Sequence, residues 1–237
     1  MKKLVIVLMI AGLVSTAAAG TIIDIQTGAY TVGDFVEVSG AVVTGVLSNG
    51  FYMNEIPNAP YSGIWVYTGT GNHTALVGDE VDVGGYYEEY ITSGGSSLTE
   101  INAHPTGVGA YVTVIGEHME SLYPMQLTIA QFNADPEPYE CCFVTITDGM
   151  VVTEVPNTYG EWDVESYETP GQFLAVDNYW YDSSGVFLGQ CFNCGTGIMH
   201  EDYGEYKIRF FENAVCEIDC AIPNENMTFS DVKALYR

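Results

Sequence analysis

Val36-Glu-Val-Ser-Gly-Ala-Val-Val-Thr44 and its echo Val144-Thr-Ile-Thr-Asp-Gly-Met-Val-Val-Thr153 decide the fold. Both runs are rich in β-branched residues, the composition of a strand. Working outward, Ile22 to Gln26, Phe35 to Thr44, Gly50 to Met53, Gly63 to Tyr67, Glu80 to Tyr90 and Tyr111 to Ile115 read as further strands. Gly, Asn, Asp and Pro punctuate them at roughly eight- to twelve-residue spacing, which predicts an all-β sandwich or barrel. The body carries almost no helical pattern.

The echo extends along the chain at an offset near 110 residues. Gly50-Phe51-Tyr52 aligns with Gly160-Glu161-Trp162, Val77-Gly78-Asp79 with Leu188-Gly189-Gln190, and Gly84 with Gly195. Tyr86 to Tyr90 is answered by Glu201-Asp202-Tyr203, and Thr99-Glu100-Ile101 by Tyr206-Lys207-Ile208. Each match is weak alone; their common order predicts two β units of about a hundred residues each. The expected division is a signal over 1–19, a first unit over 20–116, a cysteine-containing second unit over 117–222, and a tail over 223–237.

The order Val36-x-Val-x-Gly-x-Val-Val-Thr, Gly50-Phe-Tyr-Met53, Ile64-x-Val66, Val77-Gly-Asp-x-Val-x-Val and Glu89-Tyr90…Thr99-Glu-Ile101 resembles the OB-type β-barrel domains of bacterial extracellular nucleases and related secreted proteins. The second unit, with Tyr139-Glu140…Val144, Gly160-Glu-Trp162, Val176-Asp177 and Tyr203-Gly-x-Tyr-Lys-Ile208, is similar to the partner domain there. The resemblance covers about residues 21–219. It implies two tandem OB-like barrels and an association with single-stranded nucleic acid. The nuclease catalytic domain has no room in this chain, and the shared positions are mostly Gly and Val that set a fold.

Charge opposes the nucleic-acid association. The 237 residues hold 6 Lys+Arg against 31 Asp+Glu, a formal net charge of −25. Lys2, Lys3, Lys233 and Arg237 lie near the ends, so residues 4 to 206 contain no Lys or Arg, and the body has only Lys207 and Arg209. Nucleic-acid binders draw most non-specific affinity from cations on phosphate. A saline habitat would also favour acidic surfaces. With 47% hydrophobic and 13% aromatic residues, disorder is excluded.

The N-terminus reads as a secretory signal: Lys2 and Lys3, the apolar run Leu4 to Val14, then Ala17-Ala18-Ala19. Its removal takes two lysines and no acid and leaves −27. The apolar run is too short to span a bilayer and no later stretch is long enough. A secreted, extracellular or cell-surface location follows as an expectation. Six cysteines agree with it: Cys141, Cys142, Cys191, Cys194, Cys216 and Cys220 are expected in disulfides. Cys191-x-x-Cys194 with Cys216-x-x-x-Cys220 also has the ligand count of a four-thiolate zinc site. Cys141 and Cys142 point to opposite faces if extended, so they should bond to different partners. At the other end, Ser230 is placed to cap a short helix Asp231 to Arg237. That tail resembles short C-terminal tags of some secreted bacterial proteins, which implies sorting or attachment; the plainer reading docks Leu235 and Tyr236 on the last domain.

No catalytic set converges in the sequence. His73, His104, His118 and His200 lack paired spacing, and no nucleophile elbow or phosphate loop occurs. Carboxylate pairs such as Glu88/Glu89 and Glu161/Asp163 are expected by chance among 31 acids. Asp177, Asn178 and Asp182 put hard oxygens suited to calcium in one loop, without EF-hand spacing. The stronger signal is aromatic. Alternation puts Ile64 and Val66 on one face and Trp65 and Tyr67 on the other, joined by Tyr52. If the first pair faces the core, Tyr52, Trp65 and Tyr67 form an exposed platform on the strands where such barrels hold ligands. Trp162 and Trp180 offer a second set. The expectation is a non-catalytic binding or scaffold protein for carbohydrate, a cation or a protein. Single-stranded nucleic-acid binding and a structural subunit of a surface assembly are the alternatives.

Overall fold

The computed structural model describes residues 20–91, 94–117 and 122–218. The expected signal, the C-terminal tail, Cys220 and His118 lie outside them. The first sheet contains β1 (Phe35–Leu47), β2 (Gly50–Asn54), β3 (Gly63–Tyr67), β4 (Asp79–Ile91), β5 (Ser97–Asn102) and β6 (Tyr111–Glu117). Its pairings close in the circuit β1-β2-β3-β5-β4 and back to β1, with β3 and β5 parallel. β6 lies alongside the first half of β4.

The second sheet contains β7 (Met125–Leu127), β8 (Phe143–Ile146), β9 (Met150–Glu154), β10 (Trp162–Ser166), β11 (Phe173–Asp177), β12 (Cys191–Asp202) and β13 (Glu205–Ile218). It repeats the circuit as β9-β10-β11-β13-β12 and back to β9, with β11 and β13 parallel. β8 and β9 together take the place of β1: both pair with β12, as β1 pairs with β4. The protein is all-β, built of OB-like barrels in tandem.

Period-two burial fills each interior. Val36, Val38, Phe51, Met53, Ile64, Val66, Val81, Val83 and Ile101 form the first core. Val144, Ile146, Val152, Trp162, Val164, Val176, Ile208 and Phe210 form the second. The segment Ile22 to Gln26, read above as a strand, is instead helix α1 (Ile22–Gln26). Thr21 accepts from the Asp24 backbone while the Asp24 side chain accepts from the Thr21 backbone, a reciprocal cap that fixes a helical turn against β-branched propensity. Helix α2 (Ile129–Ala134) has the same cap from Thr128 and Gln131. Each helix precedes its barrel's first long strand and buries two apolar residues in its core, Ile22 and Ile25 or Ile129 and Phe132.

The strand registers also correct the alignment of the repeat. Trp162 pairs with Val176 as Phe51 pairs with Val66, so Trp162 is the counterpart of Phe51, one residue from the alignment in sequence. A one-residue slip exchanges the faces of a strand. By the same logic, Lys207 opposite Ala175 matches Glu100 opposite Trp65, and Arg209 opposite Asp177 matches Asn102 opposite Tyr67.

A candidate ligand cleft between the barrels

The outer face of the first barrel turns toward the second. Alternation leaves Tyr52 on β2, Trp65 and Tyr67 on β3, Glu88 and Tyr90 on β4, and Leu98, Glu100 and Asn102 on β5 facing outward. The second barrel meets them with Ile198 and His200 on β12, Arg209 and Phe211 on β13, and Trp180 from the loop after β11. Tyr52, Trp65, Leu98, Cys141 and Ile198 form a third buried cluster, with Tyr67, Phe143, Trp180 and Phe211 packed against it.

The expected exposed platform is therefore a joint. Tyr52 is 0% and Trp65 5% exposed, because the second barrel covers them. Sequence alternation chose the right face, and tertiary packing covered it. Tyr67 alone of the three is part-exposed; its ring lies parallel to that of His104. Trp162 is in the second barrel's core against Phe192 and Phe210, as its kinship with Phe51 requires. Trp180 stacks on Phe211 with centroids 5.1 Å apart and meets Tyr52 edge-on at 5.9 Å. Gly45 lets it approach, since a Cβ there would lie 2.5 Å from the indole.

A charged network locks the joint. Arg209 Nη1 donates to the Tyr52 hydroxyl, and its Nε donates to Asp177 Oδ2 at 2.7 Å. Tyr52 Oη lies 2.8 Å from His200 Nδ1. Arg209 can only donate, so Tyr52 accepts from it and shares its other hydrogen bond with His200. His200 is neutral. Burial holds its pKa well below the usual histidine value, aided by Arg209 and Lys207. Burial also pushes the Tyr52 phenol up, so it remains a phenol.

Both cations of the described residues are thus structural. Arg209 is 6% exposed and also lies under the Tyr179 ring, 5.1 Å from its centroid. Lys207 is 4% exposed and bonds Glu161 at 2.5 Å. Among the described residues, no Lys or Arg is free at the surface.

Beside the joint lies a cleft of about 580 Å³. Tyr67 and Tyr90 give it aromatic walls, Glu88, Glu100 and Asn102 a polar one, and His200 and Arg209 close the far side. Glu88 and Glu100 are register partners across β4 and β5. Asn102 Nδ2 donates to Glu88 Oε1 at 3.1 Å. Glu100 is only 4% exposed, and its carboxyl makes no hydrogen bond or ion pair among the described residues. Burial, with Glu88 and Glu89 adding, raises its pKa to about 7. In sequence, Glu88 stands out only as a neighbour of Glu89, and Glu100 only as part of the repeat. The signal was available: the alternation that linked Trp65 to Tyr67 also links Glu88 to Tyr90 and Glu100 to Asn102.

The other expected site residues separate. Asp177 is held by Arg209 and accepts from the Tyr179 backbone, while Asp182 accepts from the Ser184 backbone. Asn178 and Asp182 line an open groove of about 980 Å³ with Tyr159, Tyr179 and Trp180. Among the described residues, no group of three or more His, Cys, Asp or Glu is placed to hold a metal. Cys194 and Cys216 are register partners joined in a disulfide, so they are not the thiolates of a zinc site. Cys191 is also disulfide-bonded. Cys141 and Cys142, expected in disulfides, are buried free thiols. Cys141 packs in the joint and Cys142 in the second core, so no cysteine of the described residues meets either one.

No family model matches the chain, and no curated protein matches it. Among solved structures it is similar to a chain from the structure of a replication protein A heterotrimer bound to single-stranded DNA. The identity is 8%, the TM-score 0.27, and the match covers 92% of this chain and 72% of that one. A match at that level carries no argument about a ligand. No helix among the described residues is long and apolar enough to cross a membrane.

Proposed function

We propose that this is a secreted, non-catalytic binding module that holds a carbohydrate in the cleft between its barrels. One observation carries the reading: the Glu100 carboxyl lines the cleft, open to water there and with no protein partner of its own among the described residues. A carboxyl so crowded by protein is only partly hydrated, and burial disfavours its charged form. A ligand that donates hydrogen bonds to it makes up for the lost hydration. The walls suit a sugar, whose apolar ring face packs on Tyr67 and Tyr90 while its hydroxyls reach Glu88, Glu100 and Asn102. Charge favours a ligand that is not a polyanion, since neither Lys207 nor Arg209 is available for phosphate. The extracellular location rests on the signal-like N-terminus and the disulfides.

The test is retention on a polysaccharide panel by the wild-type protein and by Tyr67→Ala and Tyr90→Ala. Tyr90 is exposed, and Tyr67 sits part-exposed at the edge of the joint cluster, so thermal unfolding of the Tyr67 variant accompanies its retention. Retention should fall in both variants; unchanged retention refutes the cleft as the sugar site.

A further inference from the structure

Glu100 and Glu88 face one another across two adjacent strands, an arrangement that is unfavourable for like charges. The groups packed around Glu100 do little to relieve it. Glu88 and Glu89 on β4 add negative charge, and both contribute to the upward shift of Glu100. His200 on β12 is neutral, and Arg209 on β13 is committed to Asp177 and Tyr52. The second barrel places His200 opposite Lys207 at the equivalent positions, so the carboxylate pair belongs to the first barrel alone.

From this geometry we infer that the cleft selects a ligand bearing an ammonium group, which among carbohydrates means an amino sugar. The ammonium lies between the Glu100 and Glu88 carboxylates, with the ring against Tyr67 and Tyr90. The inference rests on reading the cleft as a carbohydrate site. A hydroxyl brings one donor and no charge, so it leaves the two carboxylates repelling each other. An ammonium brings three donors and a positive charge, and charge-assisted hydrogen bonds are roughly twice as strong as neutral ones. Aromatic faces beside it add a cation–π contribution. The net charge of −25 attracts cations to the mouth in the same sense.

The test compares three probes at neutral pH and physiological ionic strength: a glucosamine disaccharide, its N-acetylated counterpart and ethanolamine, whose primary ammonium carries the same three donors. Wild-type protein should bind the free amine about tenfold tighter than the N-acetylated form. Glu100→Gln and Glu88→Gln should each abolish that preference and release ethanolamine. Glu168→Gln, the same charge change at an exposed site outside the cleft, should leave it intact and so controls for bulk charge. Equal affinity for the two disaccharides, lost together in Tyr67→Ala, would overturn the ammonium and leave the sugar site standing. Ethanolamine bound and released by Glu100→Gln, with neither disaccharide bound, would keep the ammonium and remove the sugar. No binding of any probe overturns the inference.

Discussion

Glu140 makes the stability of this acidic protein depend on pH in an unusual direction. It lies just before β8 and accepts from the Thr99 backbone of the first barrel at 3.1 Å. It is 1% exposed, and its Oε1 has no partner. Burial raises its pKa to about 8, with Glu137 and Glu89 adding, from an ordinary value of 4.5. The folded protein therefore keeps a proton that the unfolded chain has released, and stability is lost as pH rises through the folded pKa. Between pH 6.5 and 8.5 the loss from this group is on the order of 2 kcal/mol, from 1.36 kcal/mol per proton per pH unit. Glu100, raised to about 7, pulls the same way over the lower part of that range. His200, with its pKa lowered, acts oppositely: its contribution is lost as pH falls below about 6.5, outside this window. Urea unfolding should show the wild-type midpoint dropping by roughly 1 M across the window, taking a slope near 2 kcal/mol per M. Glu140→Gln keeps an acceptor for Thr99 and cannot ionise. It should flatten most of the drop and exceed wild type at the upper end. A variant as pH-sensitive as wild type would refute the argument that this buried carboxyl is protonated at neutral pH.

Arg209→Met leaves Asp177 buried without its cation and should destabilise by about 3–5 kcal/mol in thermal or urea unfolding; a loss under 1 kcal/mol would mean the network is not a lock. Trp162→Ala should cost about 3–5 kcal/mol as a core truncation, while Tyr67→Ala should change stability little, and equal losses would contradict the register that separates them. Single-stranded DNA should give no gel shift even at low salt, and a salt-sensitive shift would show phosphate held without free cations. Cys141 and Cys142 should resist a thiol reagent until the chain unfolds, since both are buried and burial raises both thiols; native-state labelling would place one of them at the surface.

The strands were legible because barrel interiors impose period two, and Val36-x-Val38 with Val144-x-Ile146 carries that period in both copies. What sequence could not supply was a third dimension. Tyr52, Trp65 and Tyr67 do share a face, but whether that face meets water depends on where the second barrel docks. No local pattern encodes that. Trp162 was misplaced by a single residue, because Gly160 was matched to Gly50 when the pairing makes Glu161 its counterpart. Helix α1 was missed because its β-branched residues were weighed above the reciprocal Thr21–Asp24 cap, a short-range signal that Thr128 and Gln131 repeat.

The charge pattern gains a physical cause from the fold. Glu100 and Lys207 occupy equivalent positions, as do Asn102 and Arg209, so the barrels differ in sign at the strand that faces the joint. In the second barrel the cations are consumed internally: Arg209 bonds Asp177 and reaches across to Tyr52, and Lys207 bonds Glu161. In the first barrel no cation answers, and the carboxyls of Glu88 and Glu100 remain at the cleft. Supplying that missing charge from within would only need a basic residue at one of the outward positions of β3 or β5. An introduced lysine at Asn102 is the corresponding experiment, since it imitates the second barrel's Arg209. If the cleft's vacancy of positive charge is what a ligand fills, Asn102→Lys should raise stability near neutral pH and abolish binding together. A variant that gains stability yet still binds would separate the cleft's carboxylates from recognition.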